Sequence, residues 1–348
     1  MDRREFLAAT AAALAASSCT HSKSGSSDKD SFVLTEFTPA QQAKRRADKQ
    51  STVGLIGCDS YDGDIFAAIK KEVESMQLPN FRGKRVVLKP NMVEIEEGHP
   101  ITTNPAVLAA AVKLVDYLGA SEIIIAEGPG HMRDTEMVLA RSGIGAMVKK
   151  LGLRFVDLNL DDIEAVQTPD SFTGLHEVYM PKTIMAADAV VSVPKLKTHH
   201  WVGVTCSMKN LFGTVPGRKY GWPKNLLHQK GITKWIIDLQ HIVRPQLAVV
   251  DAIIAMEGDG PINGTAKHTG FVVIGSDLAA VDATCIRTME IAIEAIPYMY
   301  MAGQVVGNID EHAINVIGRS IASVRQPFVK PATLLDPSLI ANATRQSS

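Results

Sequence analysis

The chain has 348 residues, of which 46% are hydrophobic and 21% charged, and its formal net charge is −1. This composition is typical of a globular protein with a sizeable core, and the length allows one large domain or two. A net charge so close to zero argues against a nucleic-acid-binding protein, because such proteins usually present a basic face.

Residues 1–20 predict an export signal that is not part of the fold. Arg3 and Arg4, followed by an apolar run from Phe6 to Ala16, resemble the twin-arginine signal, and the run is too short to cross a bilayer as a helix. Cys19 stands where a lipobox places its acylated cysteine, and cleavage near this point without lipidation is the alternative. We therefore expect twin-arginine export to a periplasmic or membrane-anchored location, with a lipid anchor as the only membrane contact.

Residues 21–51 predict a flexible tether, because they are rich in Ser, Lys, Asp, Gln and Arg and have no apolar period. The folded domain is predicted over residues 52–318, either as one unit or as two lobes that divide near residue 174. Residues 319–348 are predicted to form a tail.

The four cysteines, Cys19, Cys58, Cys206 and Cys285, contain no C-x-x-C pair. We therefore expect no iron–sulphur cluster from this chain. If Cys19 is lipidated or removed, the other three allow at most one disulfide, and we interpret them as small buried side chains.

Strand and helix patterns alternate along the folded domain. Asn104 and Pro105 mark a clear helix start, since asparagine caps a helix and proline fits its first turn, and Gly119 ends that helix. This alternation predicts an α/β fold with three layers and a mainly parallel sheet. The predicted elements are strand 52–57, helix 64–76, strand 85–89, helix 105–118, strand 122–126, two helices within 135–151 that break at Gly143, strand 154–157, a solvated acidic insertion at 159–173, helix 231–243, strands 246–250 and 270–275, and a helix that Asp277 caps.

Polar residues follow the strands at 85–89 and 122–126. Lys89 and Asn91 come at the carboxyl end of the first, where open α/β sheets bind their ligands. We predict that both bind a ligand, with an ordinary rim charge as the alternative for the lysine. Glu127 opens the turn E-G-P-G-H after the second strand, and we expect either a site role or a polar turn there.

The segment 188–230 is unusually basic. A buried strand is predicted at Ala189–Val193, it ends at Pro194, and a polar loop is expected to follow. The cations and histidines of this segment, which has no carboxylate after its first residue, are Lys195, Lys197, Lys209, Arg218, Lys219, Lys224, Lys230, His199, His200 and His228.

Three of these lysines predict an anion site. Lys195, Lys197 and Lys209 have apolar and turn residues around them, and the first two follow a buried strand directly. We predict that they bind an anion together with Asn210, and a solvated face is the alternative. The remaining cations of the segment are expected to point into solvent.

A second polar segment runs from Asp251 to Gly264. Asp251, predicted to end a strand, is followed by Glu257 and Asp259 among glycines on a predicted loop. If this loop meets the lysines, its carboxylates either hold a divalent cation that bridges to an anionic ligand or form salt bridges. Candidates for proton transfer are His199, His228 and Glu257.

Four motifs resemble one protein family. They are K-P-N-M-V at 89–93, P-K-L-K-T-H at 194–199, S-M-K-N-L-F-G-T-V-P-G at 207–217 and M-E-G-D-G-P-I-N-G at 256–264. In this order they resemble the DUF362 family, a domain of unknown function, over about Val53 to Ile317. The resemblance implies a shared fold and a shared polar site, but it implies no reaction.

Three functions are consistent with these patterns. The first is an exported enzyme acting on a small carboxylate or phosphate; the second is a cofactor or metal carrier for a redox partner protein; the third is a lipoprotein that binds an anion without chemistry. The segment 209–217 followed by His228 is also similar to the lysine, proline-glycine and histidine order of lactate racemases. That likeness implies a nucleotide-type cofactor, beside the divalent metal, as a cofactor hypothesis.

Overall fold

A large β-sheet flanked by helices organises the fold. The computed structural model describes residues 37–45, 50–130, 134–221, 224, 227, 231–331 and 334. The predictions for the export signal, for Cys19 and for His228 concern residues outside these ranges.

The main sheet is mostly parallel. The described strands are β1 (Ser51–Gly57), β2 (Arg85–Pro90), β3 (Glu122–Glu127), β4 (Arg154–Asp157), β5 (Ile163–Gln167), β6 (Glu177–Pro181), β7 (Ala189–Val193), β8 (Lys195–His199), β9 (Gly203–Thr205), β10 (Leu247–Glu257), β11 (Thr265–Gly275) and β12 (Ile314–Gly318). The order of strands in the main sheet is β12-β1-β11-β10-β7-β2-β3-β4, and every neighbouring pair is parallel except the two that β11 makes. β5 and β6 form a separate sheet of two strands. β8 pairs in parallel with β10, and β9 pairs with β8. The predicted α/β fold is confirmed.

The helices begin and end largely where local signals predict. The described helices are α1 (Pro39–Gln42), α2 (Ile65–Val73), α3 (Pro105–Tyr117), α4 (Thr135–Arg141), α5 (Ile144–Lys150), α6 (Lys182–Met185), α7 (Ser207–Asn210), α8 (Gly217–Tyr220), α9 (Ile232–Val243), α10 (Leu278–Thr288), α11 (Pro297–Val305) and α12 (Ile321–Val324). The Asn104 side chain accepts a hydrogen bond from the Ala106 amide at 2.9 Å, and Asp277 caps α10 in the same way. Gly143, at φ 78°, separates α4 from α5 in a conformation that favours glycine.

The core lies between the central strands and the helices that cover them. All five residues of β7 are buried, as its β-branched sequence predicts, and Leu88, Val107 and Ile125 are fully buried around it. Burying each large apolar side chain stabilises the fold by about 1.5–3 kcal/mol. Among the described residues, no helix is long and apolar enough to cross a membrane.

Two predictions of local structure were wrong. Lys195–His199 forms the buried strand β8 where a polar loop was expected, and β10 continues through Asp251 to Glu257. Both corrections have one cause, because Lys195 and Asp251 are register partners whose charges neutralise each other inside the sheet. The acidic insertion at 159–173 is exposed or half-buried except at Asn159 and Phe172, and it contains strand β5, which pairs with β6.

Candidate functional site

A cavity of about 790 Å³ opens beside the carboxyl ends of β2, β3 and β8. Parallel strands bring their carboxyl ends to one edge of a sheet, so residues distant in sequence meet here. We call it the lysine cavity. Its polar and charged lining residues are Lys89, Asn91, Glu94, Glu96, Glu127, Arg141, Lys197, His199, His200, Thr205, Lys209, Asn210, Lys224, Asp259 and Asn263, and its large apolar ones are Met92, Val93, Ile95, Met137, Trp201, Phe212 and Ile262.

Lys89 is fully buried and joins three elements. Its ammonium forms an ion pair with the Glu127 carboxylate at the end of β3 and donates to Asn210 Oδ1 at 3.0 Å and the Pro90 carbonyl at 2.9 Å. The Asn210 amide donates back to the Lys89 carbonyl at 2.9 Å. Burial lowers the pKa of Lys89, and the Glu127 charge partly offsets this effect. Lys89 and Asn210 therefore contact each other, and the Glu127 carboxylate holds the same ammonium.

Gly213 lets the chain pass against this ion pair. A Cβ atom at this position would lie 2.6 Å from Lys89 Nζ and would overlap a carboxylate oxygen of Glu127. Only glycine fits there without displacing the pair.

Lys197 is fully buried and has weaker compensation. Its ammonium donates to the Ile101 carbonyl at 2.8 Å and lies 3.4 Å from the Pro261 carbonyl. No carboxylate of the described residues forms an ion pair with it. Burial, followed by repulsion from Lys209 and Lys195, holds its pKa well below the usual lysine value.

Lys209 is carried by the short helix α7, which Asp282 of α10 holds in place. The Asp282 carboxylate accepts from the amides of Ser207 at 2.8 Å and Met208 at 3.2 Å, and burial raises its pKa to about 6. Lys209 itself is half-buried, and burial together with the charge of Lys89 lowers its pKa to about 8. No residue in the described ranges forms a hydrogen bond or ion pair with its ammonium, which lies 5.3 Å from the Phe212 ring centre.

Lys224 corrects a prediction. It was expected to point into solvent, but it is 1% exposed and donates to the Gly128 carbonyl at 2.8 Å. Burial is the main cause that lowers its pKa to about 7. Arg218 and Lys219 are exposed, as expected.

Two adjacent histidines line the cavity in complementary states. His199 Nδ1 accepts a hydrogen bond from the Trp201 amide at 3.0 Å, so the neutral ring carries its proton on Nε2. His200 Nδ1 lies 2.7 Å from the Gly260 carbonyl and must donate to it, so Nε2 of the neutral ring is the proton acceptor. The rings stack with their centres 5.0 Å apart.

Asn91 Oδ1 and Thr205 Oγ1 are buried polar atoms of the lining that have no hydrogen-bond partner among the described residues. Their residues are 6% and 3% exposed. Buried polar atoms are normally paired, and an orphan beside a cavity points to a ligand or to water. The unpaired Asn91 oxygen therefore belongs to a residue that the sequence predicts to bind a ligand.

Lys195 and Asp251 form a closed cluster that does not line the cavity. The Lys195 ammonium lies 2.6 Å from Asp251 Oδ2 and donates to Tyr61 Oη at 2.9 Å and the Ile254 carbonyl at 3.1 Å. Asp251 also accepts from the Tyr61 hydroxyl at 3.0 Å and the Asn104 amide at 2.8 Å. Burial raises the pKa of Tyr61, so the hydroxyl stays protonated.

The other predicted acidic residues are divided between two places. Glu257 forms an ion pair with Lys267 at 2.9 Å and does not line the cavity, whereas Asp259 is exposed at its rim. In the part of the chain that the structure describes, no three His, Cys, Asp or Glu side chains are grouped so that they could hold a metal ion. Cys58, Cys206 and Cys285 are buried free thiols, as expected.

Sequence reasoning missed several residues of the site. Thr205 and Asp282 carry no local signal, because a lone polar residue next to an apolar run is common in any core. For His200 and Lys224 the only local signal is their place in the basic segment. For Glu127 the usable signal is its place after a strand and before a Gly-Pro turn.

The fold and the lysine cavity define an α/β protein with a buried, basic polar site. The chain belongs to the DUF362 family, described as a domain of unknown function, which matches residues 86–287. This confirms the resemblance seen in the four motifs.

One curated relative is the thylakoid-associated protein sll1697 of Synechocystis sp. It is 28% identical over 257 residues, which cover 71% of this chain and 77% of the relative. Among solved structures, the lactate racemase apoprotein of Thermoanaerobacterium thermosaccharolyticum is 14% identical with a TM-score of 0.44 over 74% of this chain. A Thermotoga maritima protein from a structural genomics project is 12% identical with a TM-score of 0.35 over 68% of this chain. The chain spans 60% of each solved chain.

Proposed function

We propose that this protein is an enzyme that binds a small carboxylate or phosphate in the lysine cavity and transfers protons on it. The observation that carries the proposal is the Lys197 ammonium, which is fully buried without an ion-pair partner among the described residues. Lys209 lines the same cavity in a similar state.

Electrostatics favours an anion at this place. Besides burial, the charges of Lys209 and Lys195 lower the affinity of Lys197 for its proton, and the charge of Lys89 lowers that of Lys209. A bound anion would supply the missing opposite charge, favour the protonated state of Lys197, and gain charge-assisted hydrogen bonds.

Polar atoms without partners support a ligand with both donors and acceptors. The Asn91 amide and the Thr205 hydroxyl line the cavity, and a carboxylic or phosphorylated acid that also carries a hydroxyl or carbonyl group would satisfy them. The ligand class is therefore an oxygen-rich organic acid.

The histidine pair supports proton transfer. In the neutral state, His200 Nε2 can accept a proton, so His200 is suited to be the base, while His199 Nε2 carries a proton and can donate a hydrogen bond to a ligand oxygen. Each assignment follows from a backbone group that can play only one role in its hydrogen bond.

Calorimetric titration with acetate and with inorganic phosphate tests the binding. Lys197→Met should weaken the affinity by about ten- to hundredfold, because a hydrogen bond to a charged group is worth about 1.5–3 kcal/mol. Lys234→Met, which removes an exposed lysine of α9, is the matched control and should leave binding unchanged. Equal affinity of the Lys197→Met variant and the parent protein would refute the proposal.

Deuterium incorporation distinguishes the enzyme from the binding protein without chemistry. In ²H₂O, a bound hydroxy or oxo acid should exchange a carbon-bound proton in the parent protein, and His200→Gln should abolish the exchange. Anion binding with no exchange in any acid of a panel would favour the non-catalytic alternative.

A further inference from the structure

The four lysines of the cavity differ in what occupies their amines. Lys89 is held by Glu127, Asn210 and a carbonyl, Lys197 donates to the Ile101 carbonyl, and Lys224 donates to the Gly128 carbonyl. For Lys209, no hydrogen bond or ion pair exists within the described residues. Lys209 is therefore the lysine whose nitrogen lone pair is available for a reaction when the amine is unprotonated.

The backbone of Lys209 is held in place. Asp282 accepts a hydrogen bond from the Ser207 amide of α7, the helix that carries Lys209, and the Phe212 ring centre lies 5.3 Å from the Lys209 ammonium. The next residue, Asn210, is locked to Lys89 and to the Ser192 hydroxyl. A nucleophile needs a backbone that is held in place and a reacting atom that is not engaged in hydrogen bonds.

The surroundings of Lys209 favour the neutral amine. It is half-buried beside Lys89, and these two causes bring its pKa to about 8, so about a tenth of the amine is unprotonated at pH 7, far more than for an ordinary lysine. Desolvation and a neighbouring cation are the two conditions under which protein lysines attack carbonyl groups.

We infer that Lys209 forms an imine with an anionic substrate that carries a ketone or aldehyde carbonyl, such as a 2-oxo acid. This inference rests on the proposed function, since the carboxylate of that substrate is the anion held by Lys197. It names the substrate class and assigns a covalent role to one lysine.

The step balances without an oxidant or a reductant. The Lys209 lone pair forms a bond to the carbonyl carbon, the carbonyl electron pair moves to oxygen, and a proton passes from nitrogen to that oxygen. The proton that remains on nitrogen is then taken up by the His200 Nε2 acceptor and returned to the hydroxyl, which leaves as water while nitrogen forms the double bond. The products are a neutral imine and one water molecule.

Borohydride trapping of the full-length protein tests the inference. The protein is incubated with pyruvate, reduced with sodium borohydride, and digested for peptide mass spectrometry. We expect N-carboxyethyl-lysine at position 209 at a level at least about tenfold above that at the exposed Lys234, because an ordinary lysine is far more fully protonated. Inorganic phosphate in excess should suppress the label at Lys209 alone.

Two variants complete the experiment. Lys209→Arg keeps a positive charge but cannot form an imine, so the label should disappear while the unfolding midpoint stays close to that of the parent protein. Lys234→Arg should keep the label at Lys209. If phosphate binds but Lys209 is labelled no more than Lys234, the inference fails and the proposed function stands. If phosphate does not bind and no label forms, both fail.

Discussion

Lys195 and Lys197 lie two positions apart on β8, and both are buried, yet their surroundings are opposite. Lys195 meets the Asp251 carboxylate and the Tyr61 hydroxyl, and every strong partner in that cluster is satisfied. Lys197 meets backbone carbonyls at the wall of a cavity. Lys195 thus stabilises the fold, whereas Lys197, on the same strand, can pair its charge with a ligand.

The difference shows how charge compensation separates a structural lysine from a functional one. A buried ammonium with its carboxylate is a complete pair that holds two strands in register, here β8 and β10. A buried ammonium without one costs free energy in the empty protein, and binding an anion recovers it. Burial alone does not distinguish the two lysines.

The largest expected effect comes from breaking the closed cluster. Lys195→Met leaves the Asp251 carboxylate buried without its ammonium, so the free energy of unfolding should fall by about 3–5 kcal/mol. Denaturation in urea measures it. Adding Asp251→Asn to this variant removes the uncompensated charge and should return part of the loss; a double variant less stable than the single one would contradict the account.

The same substitution two positions later should act in the opposite direction. Lys197→Met removes a buried amine that has only carbonyl partners among the described residues, so the empty protein should become more stable, by about 1 kcal/mol. The two variants are matched in strand, residue type and burial. If Lys197→Met lost as much stability as Lys195→Met, the distinction between a buried lysine with a carboxylate partner and one without would be wrong.

The smallest expected effect is a pH dependence of stability that comes from Lys209 of the lysine cavity. In the folded protein, Lys209 releases its proton at about pH 8, beside Lys89, Lys197, Lys224 and Glu127, whereas the unfolded lysine keeps it to about 10.5. Between these values the unfolded chain binds more protons, so the unfolding free energy should rise with pH.

Lys209→Met should reduce the slope of the unfolding free energy against pH. The reduction should correspond to less than about one bound proton. An unchanged slope in Lys209→Met would show that its amine titrates alike in both states.

Local signals were sufficient for much of the fold. Asn104, Gly143 and Asp277 mark helix ends because capping and left-handed backbone depend on a few neighbouring residues, and β7 is buried as its β-branched run predicts. Charged residues caused the errors. Lys195 is predicted in a polar loop after Pro194 and a later strand is predicted to end before Asp251, but either charge alone is costly to bury, and only their pairing makes β8 and the long β10 stable.

The sequence by itself determined the α/β alternation, the family motifs and the basic segment in which the site would be found. The tertiary structure decided which lysines face the cavity, that Asp251 belongs to Lys195, and that Thr205, Lys224 and Asp282 belong to the site's surroundings. The reason is physical. Periodicity and capping are local, whereas the partner of a buried charge is chosen by the sheet register that joins residues more than fifty positions apart.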